Sequence, residues 1–165
     1  MRLDELNALP QDEVVPELLR CCGSTRWAFQ MAAQRPFANP EAMDAEADKI
    51  WHGLGVEDWL EAFAAHPRIG ARSGTPWSLE EQRGVESAPT GARARLADAN
   101  REYEARFGFI FIVCATGKSA DEMLASLDER LKHSRGEEWR IAGEEQRKIT
   151  RVRLAKLLAS PERTT

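Results

Sequence analysis

Residues 39–53 read NPEAMDAEADKIWHG, and this stretch carries the signals of a complete helix. Asn39 belongs to the residue types that cap helix N-termini, and Pro40 suits the first helical position. Gly53 suits the end of a helix, where a left-handed residue is common. The stretch therefore predicts a helix from Pro40 to about Gly53, and the same punctuation recurs along the chain.

Similar start and stop signals predict helices on both sides of this one. In chain order they cover 11–22, the stretch from Ser24 to before Pro36, a short segment stopped by Pro67, 92–106, 119–133 and 137–159. Residues 70–77 and 84–91 hold several Gly and Pro and are predicted loops, with one helical turn at residues 80–82 between them. The pattern predicts a mostly helical chain of about seven to nine helices, in a single compact domain over residues 1–165.

Residues 109–115, FIFIVCA, depart from the helical pattern. The segment is short, rich in β-branched and aromatic residues and preceded by Gly108, which is typical of a buried strand. The sequence predicts no second strand that could pair with it. Two alternatives follow: the start of a buried helix, or an extended segment whose backbone groups bind something else.

The composition narrows the class of protein. The chain has 165 residues, of which 42% are hydrophobic and 30% charged, as in a globular domain. Its net charge of −4 argues against a nucleic-acid partner, which needs clustered Lys and Arg. No run approaches the roughly 18 apolar residues of a membrane span, and no secretory or peroxisomal signal is visible. We therefore expect a cytoplasmic protein.

The cysteines and histidines predict neither a disulfide framework nor a metal site. Cys21, Cys22 and Cys114 are an odd number, which fits a reducing cytoplasm. The three histidines share no spacing with one another or with the cysteines that is typical of a metal site. No metal is therefore expected.

A first candidate for chemistry is His66-Pro67-Arg68-Ile69-Gly70. Pro67 disfavours the helical conformation of the residue before it, so His66 is predicted at the very end of its helix. The negative end of the helix dipole favours an imidazolium, which is a proton donor near neutral pH. The alternative is a histidine that only caps the helix.

Two further candidates lie around residue 80 and on the last helix. Ser78 and Glu81 have the spacing of a capping box, or else Glu81 and Gln82 face a cleft. Arg153 falls in the apolar stripe of the last predicted helix, where an unpaired guanidinium is costly. It therefore needs an anionic ligand or several acceptors, unless it pairs with a buried carboxylate or extends into water.

Across nearly the whole chain runs an ordered set of motifs: His66-Pro67-Arg68-Ile69-Gly70, Trp77-Ser78, Glu81-Gln82, Asn100, Tyr103, Phe107-Gly108-Phe109, FIVCATG at 111–117, Glu138 and KITRVRL at 148–154. This set resembles the OHCU decarboxylase family, the decarboxylases of 2-oxo-4-hydroxy-4-carboxy-5-ureidoimidazoline. The resemblance implies an all-α, homodimeric enzyme, so that 109–115 is no strand but lines the ligand pocket. It also implies a cofactor-independent carboxy-lyase that forms (S)-allantoin, in the last step from urate.

The resemblance also implies roles for single residues. His66 would be the catalytic histidine, and Glu81 its carboxylate partner. The substrate, a small ureidoimidazoline, would be held by Pro67, Ser78, Gln82, Phe111, Ile112, Val113, Cys114, Ala115 and Arg153. The connection over residues 71–76 is shorter than in eukaryotic members, which leaves Arg68 and Arg72 without assigned roles. Two other functions are kept as alternatives: a helical ligand-binding module without turnover, and a hydrolase that acts on a related ureide.

Overall fold

The computed structural model describes residues 1–70, 74–86 and 88–159, and of Glu86 the backbone alone. Within these ranges every regular element is a helix, which confirms the predicted all-α class. The ten helices are α1 (Leu3–Ala8), α2 (Gln11–Cys21), α3 (Thr25–Ala33), α4 (Pro40–Gly53), α5 (Val56–Ala64), α6 (Pro76–Glu81), α7 (Arg83–Glu86), α8 (Thr90–Phe107), α9 (Ala120–Arg130) and α10 (Arg135–Ala159). None of these helices is both long enough and apolar enough to cross a membrane.

The chain forms two compact units. Unit 1 consists of Met1–Ala62 together with the chain from Arg147 onward, and unit 2 is Phe63–Gln146. Helices α5 and α10 each contribute residues to both units. The prediction of one domain over residues 1–165 stays a prediction.

In unit 1, side-chain caps set the starts of α3 and α4. The Ser24 hydroxyl accepts a hydrogen bond from the backbone N–H of Trp27 at 3.2 Å, and the Asn39 amide oxygen accepts one from Ala42 at 2.7 Å. Pro40 occupies the first turn of α4. Caps of this kind are worth about 1 kcal/mol each because they satisfy N–H groups that lack a partner within the helix. Both predicted helix starts are confirmed.

Two buried polar contacts tie the helices of unit 1 together. The Trp27 side chain is fully buried, and its indole N–H donates to the carbonyl of Ala47 in α4 at 3.1 Å. The Arg35 guanidinium donates to the carbonyls of Leu6 and Leu9 at 2.8 and 2.6 Å. Arg35 thereby satisfies carbonyl groups at the end of α1 that have no partner within the helix.

Unit 2 is built around a cluster of aromatic side chains. The ring centroids of Phe63, Phe109 and Trp139 lie 5.5–5.6 Å from one another, and those of Tyr103 and Phe111 lie 5.4 Å apart. Most of these pairs are edge-on, the favoured arrangement for aromatic rings. The cluster holds Phe109 and Phe111 against α8 and the first half of α10.

The strand suggested by pattern alone for residues 109–115 is wrong, as is the alternative of a buried helix start. Residues 108–119 form no regular element, and α9 begins only at Ala120. The side chains of residues 109–115 are buried except those of Ile110 and Cys114, which are half-buried. Distant side chains bond the backbone of this segment: Arg130 donates to the carbonyl of Ile112, and Glu145 accepts from the N–H of Cys114. Side chains thus take the place of a partner strand.

The predicted loops at 70–77 and 84–91 are partly wrong. Helix α6 begins at Pro76, α7 includes residues 84–86 of the second stretch, and α8 begins at Thr90. Pro76 and Pro89 punctuate helix starts here, which is one of the positions proline tolerates. Residues 71–73 and 87 of these loops, and therefore Arg72, lie outside the described residues.

Candidate active site

His66 lies just beyond the end of α5, as predicted. Its backbone N–H donates to the carbonyl of Phe63 at 3.1 Å, and its half-buried ring has Nε2 2.6 Å from the Oε1 atom of Gln146. Because an amide oxygen only accepts, Nε2 carries the proton in this bond. The imidazole is therefore anchored by a side chain 80 residues further along the chain.

Pro67 and Ser78 meet at Gly74. A Cβ atom built on Gly74 would lie 2.7 Å from the Ser78 hydroxyl and 3.2 Å from Cγ of Pro67, so only glycine fits without displacing them. Ser78 is buried, and its hydroxyl donates to the carbonyl of Thr75 at 2.9 Å. The N-cap of α6 is Thr75, whose hydroxyl accepts from the N–H of Ser78 at 3.2 Å. The capping-box alternative for Ser78 is wrong, because the helix begins before it.

Gln82 joins the His66 loop to the end of α6. Its Oε1 atom accepts a hydrogen bond from the backbone N–H of Gly70 at 2.8 Å, and Gly70 has a φ of +81°, a conformation that favours glycine. Glu81 is the half-buried last residue of α6. The charge of Glu81 is one of those that raise the pKa of the Cys114 thiol.

Arg68 has a structural partner. Its guanidinium makes two hydrogen bonds of 2.8 Å with the carboxylate of Glu104 in α8. This hydrogen-bonded carboxylate also raises the pKa of Arg68. Paired hydrogen bonds of this kind fix direction as well as distance. Arg68 thus attaches the loop that follows His66 to α8.

The segment 111–115 has four buried side chains and one, Cys114, that is half-buried. The N–H of Cys114 donates to Oε2 of Glu145 at 2.9 Å. Burial, and next the charge of Glu145, raise the pKa of the Cys114 thiol, which keeps it protonated at neutral pH. The carbonyl of Ala115 accepts from the N–H of Lys118 at 3.0 Å, which closes a turn.

Helix α7 touches the backbone just after this turn. A Cβ atom on Gly84 would overlap the carbonyl oxygen of Lys118 and would lie 3.2 Å from its carbonyl carbon and 3.3 Å from Cα of Ser119. Only glycine allows so close an approach of two backbones. Helix α7, which follows the α6 helix that carries Ser78 and Glu81, is therefore seated directly against the end of the 111–119 segment.

A buried network of charged and polar side chains contacts the segment 111–115 through Arg130. Oε1 of the fully buried Glu138 accepts from Arg130 Nε at 2.6 Å and from the Tyr103 hydroxyl at 2.5 Å, and Oε2 accepts from His133 Nδ1 at 2.8 Å. Arg130 donates in addition to the carbonyl of Ile112. Burial is the largest cause of the raised pKa of Tyr103, so the phenol stays a donor. We refer to Tyr103, Arg130, His133 and Glu138 as the Arg130 cluster.

Arg153 lies in unit 1. It is buried, with 8% of its surface exposed, so the alternative that it extends into water is wrong. Its Nη1 atom donates to the carbonyl of Arg20 at 3.4 Å. Burial raises the pKa values of the nearby Cys21 and Cys22 thiols, that of Cys22 to about 12, and the charge of Arg153 acts in the opposite direction. Its role in substrate binding stays a prediction.

Some side chains of α9 and α10 that bond predicted site residues were not anticipated. They include Arg130, Glu145 and Gln146. Gln146 is fully buried and follows the helical spacing of the stripe that holds Ile149 and Arg153. The argument applied to Arg153, a polar side chain in an apolar stripe, would have found it. Nothing in the described part of the chain groups three or more His, Cys, Asp or Glu residues in a way that could hold a metal ion.

Comparison with known proteins identifies the relatives of this chain. The sequence model of the family described as OHCU decarboxylase matches residues 7–155. The uric acid degradation bifunctional protein TTL of Arabidopsis thaliana is 42% identical over 84% of this chain, which spans 45% of that protein. The 2-oxo-4-hydroxy-4-carboxy-5-ureidoimidazoline decarboxylase of Amia calva is 31% identical over 77% of both chains. The chain thus spans less than half of the first relative and most of the second.

Solved structures lead to the same family. A crystal structure of OHCU decarboxylase in the presence of (S)-allantoin matches with a TM-score of 0.79 and 41% identity, over 87% of this chain and 98% of that one. A crystal structure of (S)-allantoin synthase matches with a TM-score of 0.73 over 96% of this chain and 54% of that one, and at 21% identity it supports the fold alone. Because the family match covers almost the whole sequence and agrees with these relatives, the chain belongs to the OHCU decarboxylase family.

Proposed function

We propose that this protein decarboxylates 2-oxo-4-hydroxy-4-carboxy-5-ureidoimidazoline to (S)-allantoin, the last step of the conversion of urate to allantoin. It acts as a carboxy-lyase without a cofactor. The observation that carries the proposal is the anchored imidazole of His66, 2.6 Å from Gln146, within a chain of this family. Pro67 lies close to Gly74, and Gln82 accepts a hydrogen bond from the backbone N–H of Gly70. Both residues thus contact the loop that follows His66.

The chemistry of the substrate explains why such a site suffices. Loss of carbon dioxide leaves an electron pair that the ring carbonyl and the amidine-like system of the heterocycle can delocalise. The substrate thus provides its own electron sink, the service that pyridoxal phosphate performs in other decarboxylases. The protein has to hold the carboxylate out of the ring plane, stabilise the developing anion and deliver a proton to one face.

We assign the proton delivery to His66 and the orientation of His66 or of the substrate to Glu81. A positioned acid typically contributes about 10²–10⁴-fold to the rate. Gln82 uses its oxygen on Gly70, so its amide N–H groups are the donors that would hold an anionic substrate. The remaining contacts are assigned to Pro67, Ser78, Arg153 and the peptide groups of 111–115.

The proposal also covers the oligomeric state, the cellular compartment and the binding partners of the enzyme. The family resemblance suggests a homodimer, which light scattering of the purified protein would test. The three cysteines are free thiols, which suits the reducing cytoplasm. The net charge of −4 supports a small-molecule substrate and no nucleic-acid partner.

Three variants test the assigned roles. The substrate is generated in situ from urate, and the release of carbon dioxide is followed. We expect His66→Ala and Glu81→Gln to lose roughly 10²–10⁴-fold in kcat while keeping the wild-type helical spectrum. The matched control is His52→Ala, because His52 is exposed and its ring bonds only locally, to the carbonyl of Asp48. Unaltered turnover in His66→Ala would contradict the proposal.

The same assay separates the two alternative functions. A binding module would retain affinity for (S)-allantoin but would show no turnover in the wild type. A hydrolase that uses an activated water would leave the release of carbon dioxide at its slow background rate, and a metal chelator would slow the hydrolysis. The proposed decarboxylase releases carbon dioxide at a rate that is insensitive to the chelator.

A further inference from the structure

The Arg130 cluster contains a buried ion pair that the proposed chemistry does not use. The side chains of Arg130 and Glu138 are 6% and 0% exposed, and their shortest N–O distance is 2.6 Å. Removing charges from water is costly, and well-packed apolar residues often stabilise a core as well as a buried pair does. A buried pair is therefore weak evidence for a role in stability, which directs attention to what Arg130 holds in place.

Arg130 holds the segment 111–115 in two ways. Its Nη1 atom donates to the carbonyl of Ile112, and its guanidinium carbon lies 4.6 Å from the centroid of the Phe111 ring. The other two nitrogens bond within the cluster, Nε to Glu138 and Nη2 to the Tyr103 hydroxyl at 3.2 Å. Because a guanidinium is planar and its donors have fixed directions, these bonds together set the direction of the Ile112 carbonyl.

Glu145 holds the segment two residues further on. It accepts from the N–H of Cys114 at 2.9 Å. The segment forms no ladder of backbone hydrogen bonds, so side chains from α9 and α10 determine which way its peptide groups face. Arg130 is the charged residue of α9 that does this, and Glu138 keeps it in place.

We propose that Arg130, fixed by Glu138 and Tyr103, is the positioning residue that orients the peptide groups of 111–115 toward the substrate. This inference rests on the proposed function, in which those peptide groups bind the ureidoimidazoline. Peptide groups that hold the substrate do so in the ground state and in the transition state alike. Their misplacement therefore raises KM and leaves kcat nearly unchanged, in contrast to the loss of His66.

Variants at Arg130 test the inference against a control matched in stability. Arg130→Met keeps a flexible unbranched side chain but removes every donor, and Arg130→Lys retains the charge with one donor nitrogen in place of three. Leu127→Ala is the control, because Leu127 is fully buried one turn earlier in α9 and its loss lowers the melting temperature without removing a bond to the segment. We expect KM to rise about tenfold or more in Arg130→Met, less in Arg130→Lys, and not in Leu127→Ala. The kcat values stay within about twofold of the wild type.

Hydrogen exchange provides a readout that does not depend on turnover. We expect the backbone amides of residues 109–116 to exchange faster in Arg130→Met than in Leu127→Ala at equal stability. If Arg130→Met does not fold, Tyr103→Phe decides, because it removes only the hydroxyl that bonds Arg130 and Glu138. Tyr103→Phe is then expected to show the same changes at smaller size.

The outcomes separate the two proposals. Unchanged KM and unchanged exchange in the folded Arg130→Met variant would overturn the inference, as would an equal rise of KM in Leu127→Ala. Absence of turnover in the wild type would refute the proposed function and the substrate part of the inference. In that case, faster amide exchange in Arg130→Met but not in Leu127→Ala would still establish that Arg130 positions the segment 111–115.

Discussion

Gly84→Ala tests the seating of α7 on the segment that ends at Ser119. The added methyl group would overlap the carbonyl oxygen of Lys118 and approach its carbonyl carbon to 3.2 Å. Both partners are backbone, so neither can turn away as a flexible side chain would. To restore an ordinary contact, one of them has to retreat by on the order of 1 Å.

The size of the effect follows from two opposing contributions. Overpacking of this kind costs roughly 1–3 kcal/mol. Replacing glycine by alanine within a helix favours folding by about 0.5–1 kcal/mol. From the middle of each range we expect a net loss of about 1 kcal/mol, which lowers the melting temperature by roughly 2–4 °C in a chain of this size.

Activity is expected to fall together with stability in this variant. Glu81 lies just before α7, so a displacement of α7 moves its carboxylate relative to the 111–115 segment. A misplacement of about 1 Å costs on the order of 10²-fold in an oriented reaction, so kcat should fall by at least tenfold.

Urea unfolding and steady-state kinetics of Gly84→Ala and Gly136→Ala measure both effects. Gly136 lies in the first turn of α10, and a Cβ atom there would have nothing within 4 Å, so Gly136→Ala is expected to be neutral or slightly stabilising with unchanged kcat. Wild-type stability and kcat in Gly84→Ala would refute the close contact that we describe. An equal loss in both variants would show that the effect is not specific to this contact.

Three further predictions concern other parts of the chain. Gln146→Leu removes the acceptor 2.6 Å from the ring of His66 and should lower kcat by roughly tenfold; unchanged kcat would show that this bond does not position the imidazole. Thr75→Ala removes the cap of α6 and should cost about 1 kcal/mol in urea unfolding, whereas Thr75→Ser should retain most of the stability. Burial raises the pKa of Cys22 from 9.0 to about 12, so the unfolded chain releases this proton first and the free energy of unfolding falls as pH rises above about 9. The fall between pH 8 and pH 10 should be shallower in Cys22→Ala, and an identical slope would count against the raised pKa.

Much of the fold could be predicted because its signals are local. Ser24 and Asn39 cap helices through bonds to residues only three positions away, so sequence alone identifies both starts. The position of His66 at a helix end likewise depends on its neighbour Pro67. The same reasoning failed at Ser78, because Thr75 is an equally good cap and lies one turn earlier.

The rest of the site depends on contacts between residues far apart in sequence. Residues 109–115 have the composition of a strand, but Arg130 and Glu145 bond their backbone from α9 and α10. Local pattern cannot reveal such partners. Gln146 lies 80 residues from His66, and only its polar side chain within an apolar stripe hints at a special role.

The central claim is best tested by following the product with circular dichroism while the ureidoimidazoline is generated in situ from urate. We predict that the wild-type protein rapidly produces the signal of a single enantiomer, (S)-allantoin, and that His66→Ala returns the reaction to its slow background. One-sided proton delivery requires this result, because the reaction in free solution gives a racemate. A slow racemic product at a rate that the wild-type protein does not change would contradict the account.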